Sequence, residues 1–342
     1  MLEYKLNISE FLSKSLTLPV IDVRSPAEFE HGHIPGAVNL PLFTNEERSI
    51  VGKLYLQKGS SEAMMKGLEL IGPKMKAFAT LAMNIAPGRE ALLHCWRGGM
   101  RSNSMAWLFN TVGIQTYTLE GGYKSYRRFA YQIFARPINL VVIAGMTGSG
   151  KTEVLETLES QGKQVIHLER LARHKGSVFG GIGMLPQPST EQFENELFNS
   201  MMQLDAKEPV YIEDESLAIG SVFVPQPFYK QMSSAPCLNL IVPLSRRVKQ
   251  LVASYTGSDK ESLVSGINRI EKRLGLANAA KIIHHINIGE MEKAVEMVLT
   301  YYDKVYTRSM GLHKRREVTE IFINNESPGE IANHIINLSA NR

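Results

Sequence analysis

Cysteine is nearly absent: the 342-residue chain holds two, Cys95 and Cys237. Two thiols so far apart in sequence make neither a disulfide framework nor a zinc site. They suit a reducing compartment, so a cytoplasmic location is expected. Long apolar runs are absent too. None approaches the ~20 residues of a membrane-spanning helix, and no membrane partner is expected. The first residues lack the charged-then-apolar pattern of a secretory leader. Internal repeats and low-complexity tracts are missing. Charge of one sign is in small excess, since 38 Lys and Arg against 34 Asp and Glu leave a net +4. That balance permits a nucleic-acid partner without requiring one.

The length is too great for one typical domain, so two are expected, each with its own core. The most informative stretch is His94-Cys95-Trp96-Arg97-Gly98-Gly99-Met100-Arg101-Ser102. An apolar run, Ala91-Leu92-Leu93, leads in as a short buried strand, and Met105–Leu108 leads out as a helix. Cys95 is therefore expected where a strand ends and a helix begins. Gly98 and Gly99 let the backbone turn its N–H groups inward. Arg97, Arg101 and the helix N-terminus add positive charge. Such surroundings lower a thiol from about 8.5 into the range ~3.5–7.5, so a nucleophilic thiolate exists at neutral pH. Cys95, Arg97 and Arg101 are the candidate catalytic residues.

Upstream, Leu18–Arg24 is expected as a strand. Ser25-Pro26-Ala27-Glu28 carries the signature of a helix start. Asp22 and Arg24, at the strand end, are expected to pair with each other. A helical stretch is expected over Lys66–Asn84 and a strand over Gly113–Leu119. Strands alternating with helices imply an α/β domain with a parallel sheet. Asp22-Val23-Arg24, Glu28-Phe29, Gly32-His33-Ile34-Pro35-Gly36-Ala37, Cys95 and Leu119-Glu120-Gly121-Gly122 together resemble a rhodanese domain. The resemblance implies that Cys95 carries sulfur or selenium. The loop also matches the longer Cys-(x)5-Arg-Ser loop of Cys-based phosphatases, which implies room for a tetrahedral oxyanion. Tyr123–Pro137 is basic and aromatic. It reads equally as a nucleic-acid contact or as an amphipathic connecting helix.

Ile138–Ala144 is a strongly apolar strand, followed at once by Gly145-Met146-Thr147-Gly148-Ser149-Gly150-Lys151-Thr152, which fits the P-loop pattern. Gly145, Thr147, Gly148, Ser149, Gly150, Lys151 and Thr152 are the candidate diphosphate-binding residues. The loop N–H groups would cradle the diphosphate, and Lys151 would reach its outer oxygens. Thr152 would place its hydroxyl on magnesium, with Glu213 or Asp214, at the end of a second buried strand, as the acidic partner. Glycine-rich segments near Gly176–Gly181 would line the same sheet edge. Beyond Leu244 the chain turns helical, and His284-His285 are expected as surface or packing residues.

The expected architecture is therefore α/β throughout. A rhodanese-like domain over 1–135 precedes a P-loop NTPase-like domain over 136–342, whose part from about 244 is helical. The two loops in this order resemble the tRNA 2-selenouridine synthase family. Gly176–Gly180, Phe193-Glu194-Asn195, Glu213–Ser216, Ile219-Gly220, Arg273-Leu274-Gly275 and Tyr301-Tyr302-Asp303 extend the likeness along the chain. Leu217 departs from it, where a basic residue is expected. The resemblance implies a transferase acting on 2-thiouridine at wobble position 34 of the tRNAs for lysine, glutamate and glutamine. Geranyl diphosphate and selenophosphate would be co-substrates, magnesium an accompanying ion, and a selenophosphate synthetase a partner. The alternative is an ATP-dependent P-loop kinase or ATPase carrying a sulfurtransferase domain.

Overall fold

A computed structural model describes residues 4–175, 184–255, 260–310 and 317–340. The chain divides into two units, Met1–Ile133 and Phe134–Arg342. The expected glycine-rich segment at Gly176–Gly181 lies outside the described residues.

The first unit runs β1 (Tyr4–Leu6), α1 (Ile8–Ser15), β2 (Val20–Asp22), α2 (Pro26–His31), β3 (Val38–Asn39), α3 (Asn45–Lys58) and α4 (Ser60–Ile71). A 3-10 turn at Gly72–Lys74 follows, then α5 (Met75–Ile85), β4 (Glu90–His94), α6 (Met100–Thr111), β5 (Gln115–Leu119) and α7 (Gly122–Phe134). The strands form one sheet in the order β1-β5-β4-β2-β3, and every pair is parallel. Parallel strands are covered on both faces, which is why β4 reads Ala91-Leu92-Leu93 without alternation and all three side chains are fully buried. Helix α2 starts as its sequence dictates: Ser25 and Glu28 form a reciprocal capping box, with Pro26 in the first turn. The helical stretch expected over Lys66–Asn84 is present, and it runs as two helices joined by the 3-10 turn. Pro73 has no N–H to donate and its ring crowds the preceding turn, so α4 ends in the 3-10 turn before α5 begins.

The second unit continues with β6 (Leu140–Gly145), α8 (Lys151–Ser160), β7 (Gln164–Ile166), α9 (Leu168–Ala172), α10 (Thr190–Met201) and β8 (Val210–Glu213). A small hairpin, β9 (Ala218–Ile219) and β10 (Val222–Phe223), precedes α11 (Gln226–Ser234) and β11 (Cys237–Ile241). Four helices follow: α12 (Leu244–Tyr255), α13 (Lys260–Leu274), α14 (Leu276–Asn287) and α15 (Met291–Met310). The chain closes with β12 (Val318–Phe322) and α16 (Pro328–Ala340). The main sheet is again parallel, in the order β12-β11-β6-β8-β7, so the strand entering the P-loop is central.

The region beyond 244 is not helical to its end. The run Val318-Thr319-Glu320-Ile321-Phe322 has the β-branched and aromatic residues of a strand. It joins β11 in register, Cys237 opposite Val318 through Ile241 opposite Phe322. Helix α16 then adds Ile331, Ala332 and Ile335 to the core that β6 and α8 share. Helices α13 to α15 bury a separate apolar cluster around Ile267, Ile270, Ile282 and Val298. His285 pairs with Glu290 at 2.7 Å, as a surface residue would. Among the described residues, no helix is long and apolar enough to cross a membrane.

Candidate active sites

Cys95 lies at the C-terminal end of the central strand β4, directly before α6. The Gly99 N–H donates to its Sγ at 3.4 Å, and the Ser102 hydroxyl lies 3.3 Å from the same sulfur. Burial pushes the thiol up. The Ser102 hydroxyl and the backbone N–H groups of Gly99, Ser102 and Arg97 outweigh it and bring the thiol below its ordinary value. The sulfur is therefore poised by short-range donors, not by guanidinium charge. Ser102 was not among the sequence candidates, although it stands in the same motif.

Two glycines explain how the loop closes. Gly98 has φ +63°, and a Cβ there would stand 2.5 Å from the Leu119 carbonyl oxygen. Gly122 has φ +60°, and its Cβ would collide with the Cys95 carbonyl and the Gly98 nitrogen. Only glycine fits either position. The gap they leave lets α7 dock its first N–H groups on the loop: Tyr123 donates to the Cys95 carbonyl at 2.8 Å and Lys124 to that of Trp96 at 3.0 Å. These bonds fix the carbonyls outside the cradle, so the loop N–H groups face the sulfur.

The two arginines differ. Arg97 is exposed. Arg101 is held in a two-point pair by Glu28, at 2.6 and 3.2 Å, and Arg48 approaches the same carboxylate at 3.7 Å. Burial pushes Glu28 up, but Arg101 more than offsets it and holds the carboxyl below its usual range. Asp22 and Arg24 pair with each other beneath the loop, fully buried, with Nη2–Oδ2 at 2.6 Å. Arg24 also donates to the Gly32 carbonyl at 2.6 Å and lies 3.9 Å from the Tyr123 ring centre. This pair ties the ends of β2, α2 and α7 together. His94 is fully buried beside Asp22 (3.7 Å), and burial holds its imidazole below its ordinary pKa, so it is neutral at pH 7.

In the second unit, β6 ends at Gly145 and α8 begins at Lys151, with the P-loop between. Gly148 (φ +78°) and Gly150 (φ +82°) take the left-handed turns that aim backbone N–H groups inward. Ser149 is buried and its hydroxyl has no partner. Lys151 Nζ donates to the Gly145 carbonyl at 2.8 Å. That ammonium bridges its own loop and is in position to exchange the carbonyl for an anion. Thr152 is exposed at the first turn of α8.

Arg247 of α12 braces the loop from behind. Its guanidinium is buried, pairs with Asp303 at 2.7 and 2.8 Å, and donates to the Thr147 carbonyl at 3.3 Å. A Cβ on Gly148 would press on Leu251 and on the Arg247 carbonyl. Arg247 and Asp303 lie 56 residues apart, so no local sequence pattern pairs them.

Beside the loop, Glu213 stands at the end of β8, level with Ile143 of β6. One of its oxygens accepts the Glu169 N–H at 2.7 Å, and the other is buried with no partner. Burial pushes the Glu213 carboxyl up to about 7, although the Glu169 N–H and Lys151 draw it down. Burial and Glu169 likewise raise Glu215 well above the carboxylate range. Asp214 is half-buried, and its N–H donates to the Ile143 carbonyl. Among the described residues, no three His, Cys, Asp or Glu side chains converge as a cage for a metal. The orphaned Glu213 oxygen and the Thr152 hydroxyl suit an ion that takes most of its ligands from phosphate and water.

The chain is thus a two-part α/β protein, with a donor-surrounded thiol on a rhodanese-like sheet and a glycine-turned P-loop on a second parallel sheet. Residues 138–335 match the family described as "tRNA 2-selenouridine synthase AAA domain", and residues 8–129 match the rhodanese-like domain. A protein named tRNA 2-selenouridine synthase from Nitrosomonas europaea is 39% identical over 246 residues, which span 69% of this chain and 63% of that one. One of the same name from Shewanella denitrificans is 32% identical over 347 residues, spanning 90% and 93%. Among solved structures, the N-terminal domain of a putative ATP/GTP binding protein from Clostridium difficile 630 is 39% identical. It covers 36% of this chain and 96% of its own, with a TM-score of 0.33. The chain belongs to the tRNA 2-selenouridine synthase family.

Proposed function

We propose that this protein converts 2-thiouridine to 2-selenouridine at wobble position 34 of the tRNAs for lysine, glutamate and glutamine, in two steps. First, the thiocarbonyl sulfur attacks C1 of geranyl diphosphate. The C–O bond breaks, diphosphate leaves, and the N3 proton of the base is lost. The P-loop N–H groups and Lys151 take up the charge that develops on the departing diphosphate. A magnesium ion held by Thr152 and by Glu213 or Asp214 would add Lewis-acid stabilisation there. Second, the Cys95 thiolate attacks phosphorus of selenophosphate, the P–Se bond breaks, and the selenide set free in the loop attacks C2 and expels geranyl thiolate; water then hydrolyses the phosphocysteine. Geranylation turns sulfur into a competent leaving group, which gives one chain a reason to hold both loops. A selenophosphate-supplying enzyme is the natural donor partner.

The observation that carries this reading is a lowered, donor-surrounded thiol in the same chain as a glycine-turned phosphate cradle. The test is mass spectrometry of nucleosides from tRNA incubated with enzyme, geranyl diphosphate and selenophosphate. Cys95→Ser should stop selenation and let S-geranyl-tRNA accumulate, whereas Lys151→Ala should block geranylation. Undiminished selenouridine from Cys95→Ser removes Cys95 from the selenation step. Hydrolysis of ATP stimulated by tRNA and indifferent to geranyl diphosphate would point instead to a kinase or ATPase.

A further inference from the structure

Helix α7 divides its side chains sharply. Tyr123, Tyr126, Ala130, Ile133 and Phe134 are buried. The opposite face carries Lys124, Arg127, Arg128 and Tyr131, spaced i, i+3, i+4 and i+7, so they form one stripe. Lys124 and Arg128 are exposed, Arg127 is half-buried, and Tyr131 is 46% exposed. The Arg127 guanidinium sits 5.5 Å from the Tyr131 ring centre. Between Tyr123 and Pro137 there are four basic residues (Lys124, Arg127, Arg128, Arg136) and no Asp or Glu, and the net charge of the whole chain is +4. The stripe begins at the thiol loop itself, because the Tyr123 and Lys124 N–H groups bond the carbonyls of Cys95 and Trp96.

We propose that this face of α7 is where the RNA substrate docks its sugar–phosphate backbone, with Lys124 and Arg128 on phosphates and Tyr131 offered to an unpaired base. The inference rests on the reading that the chain acts on tRNA. The exposed positive charge of Lys124 and Arg128, interleaved with an aromatic, is the pattern that tracks a single-stranded backbone. A protein partner would need an apolar centre to its footprint, and Tyr131 is the one large apolar side chain that α7 exposes. Position adds a further reason. A base modified at C2 must be splayed out of the anticodon loop to reach Sγ. A phosphate held at Lys124, whose own N–H bonds the loop carbonyl of Trp96, fixes the backbone beside the thiol loop.

The test is the affinity of the full chain for an anticodon stem-loop RNA carrying 2-thiouridine, titrated over a range of KCl. The proteins are wild type, Lys124→Ala/Arg128→Ala and Lys124→Arg/Arg128→Lys. The alanine pair should bind about tenfold more weakly near 0.1 M salt, and its log–log salt slope should fall by about 1.5. The charge-preserving pair should keep both values. Thermal stability and the rate of Cys95 alkylation by iodoacetamide should match wild type in both variants. An alanine pair with wild-type affinity and slope overturns the proposal. So does loss of binding accompanied by a drop in stability and alkylation, which would make the stripe structural. Unchanged RNA binding with loss of an acidic protein partner would assign the face to that partner and also overturn it. Failure of the wild type itself to bind RNA strikes at the tRNA reading, a result distinct from any effect of the variants.

Discussion

Ser102→Ala isolates what sets the reactivity of Cys95. The sulfur has two near donors, the Gly99 N–H at 3.4 Å and the Ser102 hydroxyl at 3.3 Å. The hydroxyl has a second acceptor in the Gly99 carbonyl at 3.0 Å, and turns to the sulfur when that becomes charged. A hydrogen bond to an ionised group contributes ~1.5–3 kcal/mol, and long contacts to sulfur fall at the weak end. Removing about 1.4 kcal/mol of thiolate stabilisation lowers the thiolate population tenfold below the thiol's pKa. Alkylation by iodoacetamide at acidic to neutral pH should therefore slow by about tenfold. Above the pKa the variant should be no slower than wild type, because a more basic thiolate is a somewhat better nucleophile. The assay is the full pH–rate profile with thermal unfolding in parallel. A profile that keeps its midpoint, or one uniformly lowered at every pH, would refute the claim that Ser102 stabilises the anion.

Other consequences follow from single contacts. Gly122→Ala places a Cβ against the Cys95 carbonyl and the Gly98 nitrogen at φ +60°. It should lower the stability of the first unit by at least ~2 kcal/mol and slow Cys95 alkylation, checked by calorimetry and labelling. Asp303→Ala leaves the buried Arg247 charge without its carboxylate. It should destabilise the second unit by about 3 kcal/mol and weaken pyrophosphate binding, whereas Ser102→Ala leaves that binding unchanged; calorimetry and isothermal titration check both. Burial raises Glu213 from its ordinary 4.5 to about 7, so the folded chain keeps a proton that the unfolded chain has released between those values. Its contribution to stability is therefore lost as pH rises across that window. Glu213→Gln should stabilise the ligand-free protein increasingly from about pH 4.5 to 7 and level off above, by at most on the order of 3 kcal/mol. Denaturant titrations at pH 4.5 and 8 should show this difference.

How far the chain could be read depended on how local each feature was. The P-loop and the thiol loop were legible because glycine spacing and a flanking apolar strand act within a dozen residues. The helical stretch through Lys66–Asn84 was legible from its periodicity, and its division at Pro73 follows from proline's missing N–H, also a local fact. Strand β12 was harder to see. Val318–Phe322 is short and follows a long helical stretch, and only its pairing with β11 makes it a strand.

The sequence by itself determined that there are two α/β units, that a cysteine ends one central strand, and that a P-loop follows another. Short-range backbone geometry demands glycine, proline and apolar residues at set intervals, and those intervals are visible. Which charges act on which groups was decided by tertiary structure alone. Arg101 is engaged by Glu28, 73 residues away, and Arg247 by Asp303, 56 residues away. The buried oxygen of Glu213 is orphaned by its surroundings, not by its neighbours in sequence. Electrostatic partners are fixed by folded distance and burial, and a linear chain carries neither.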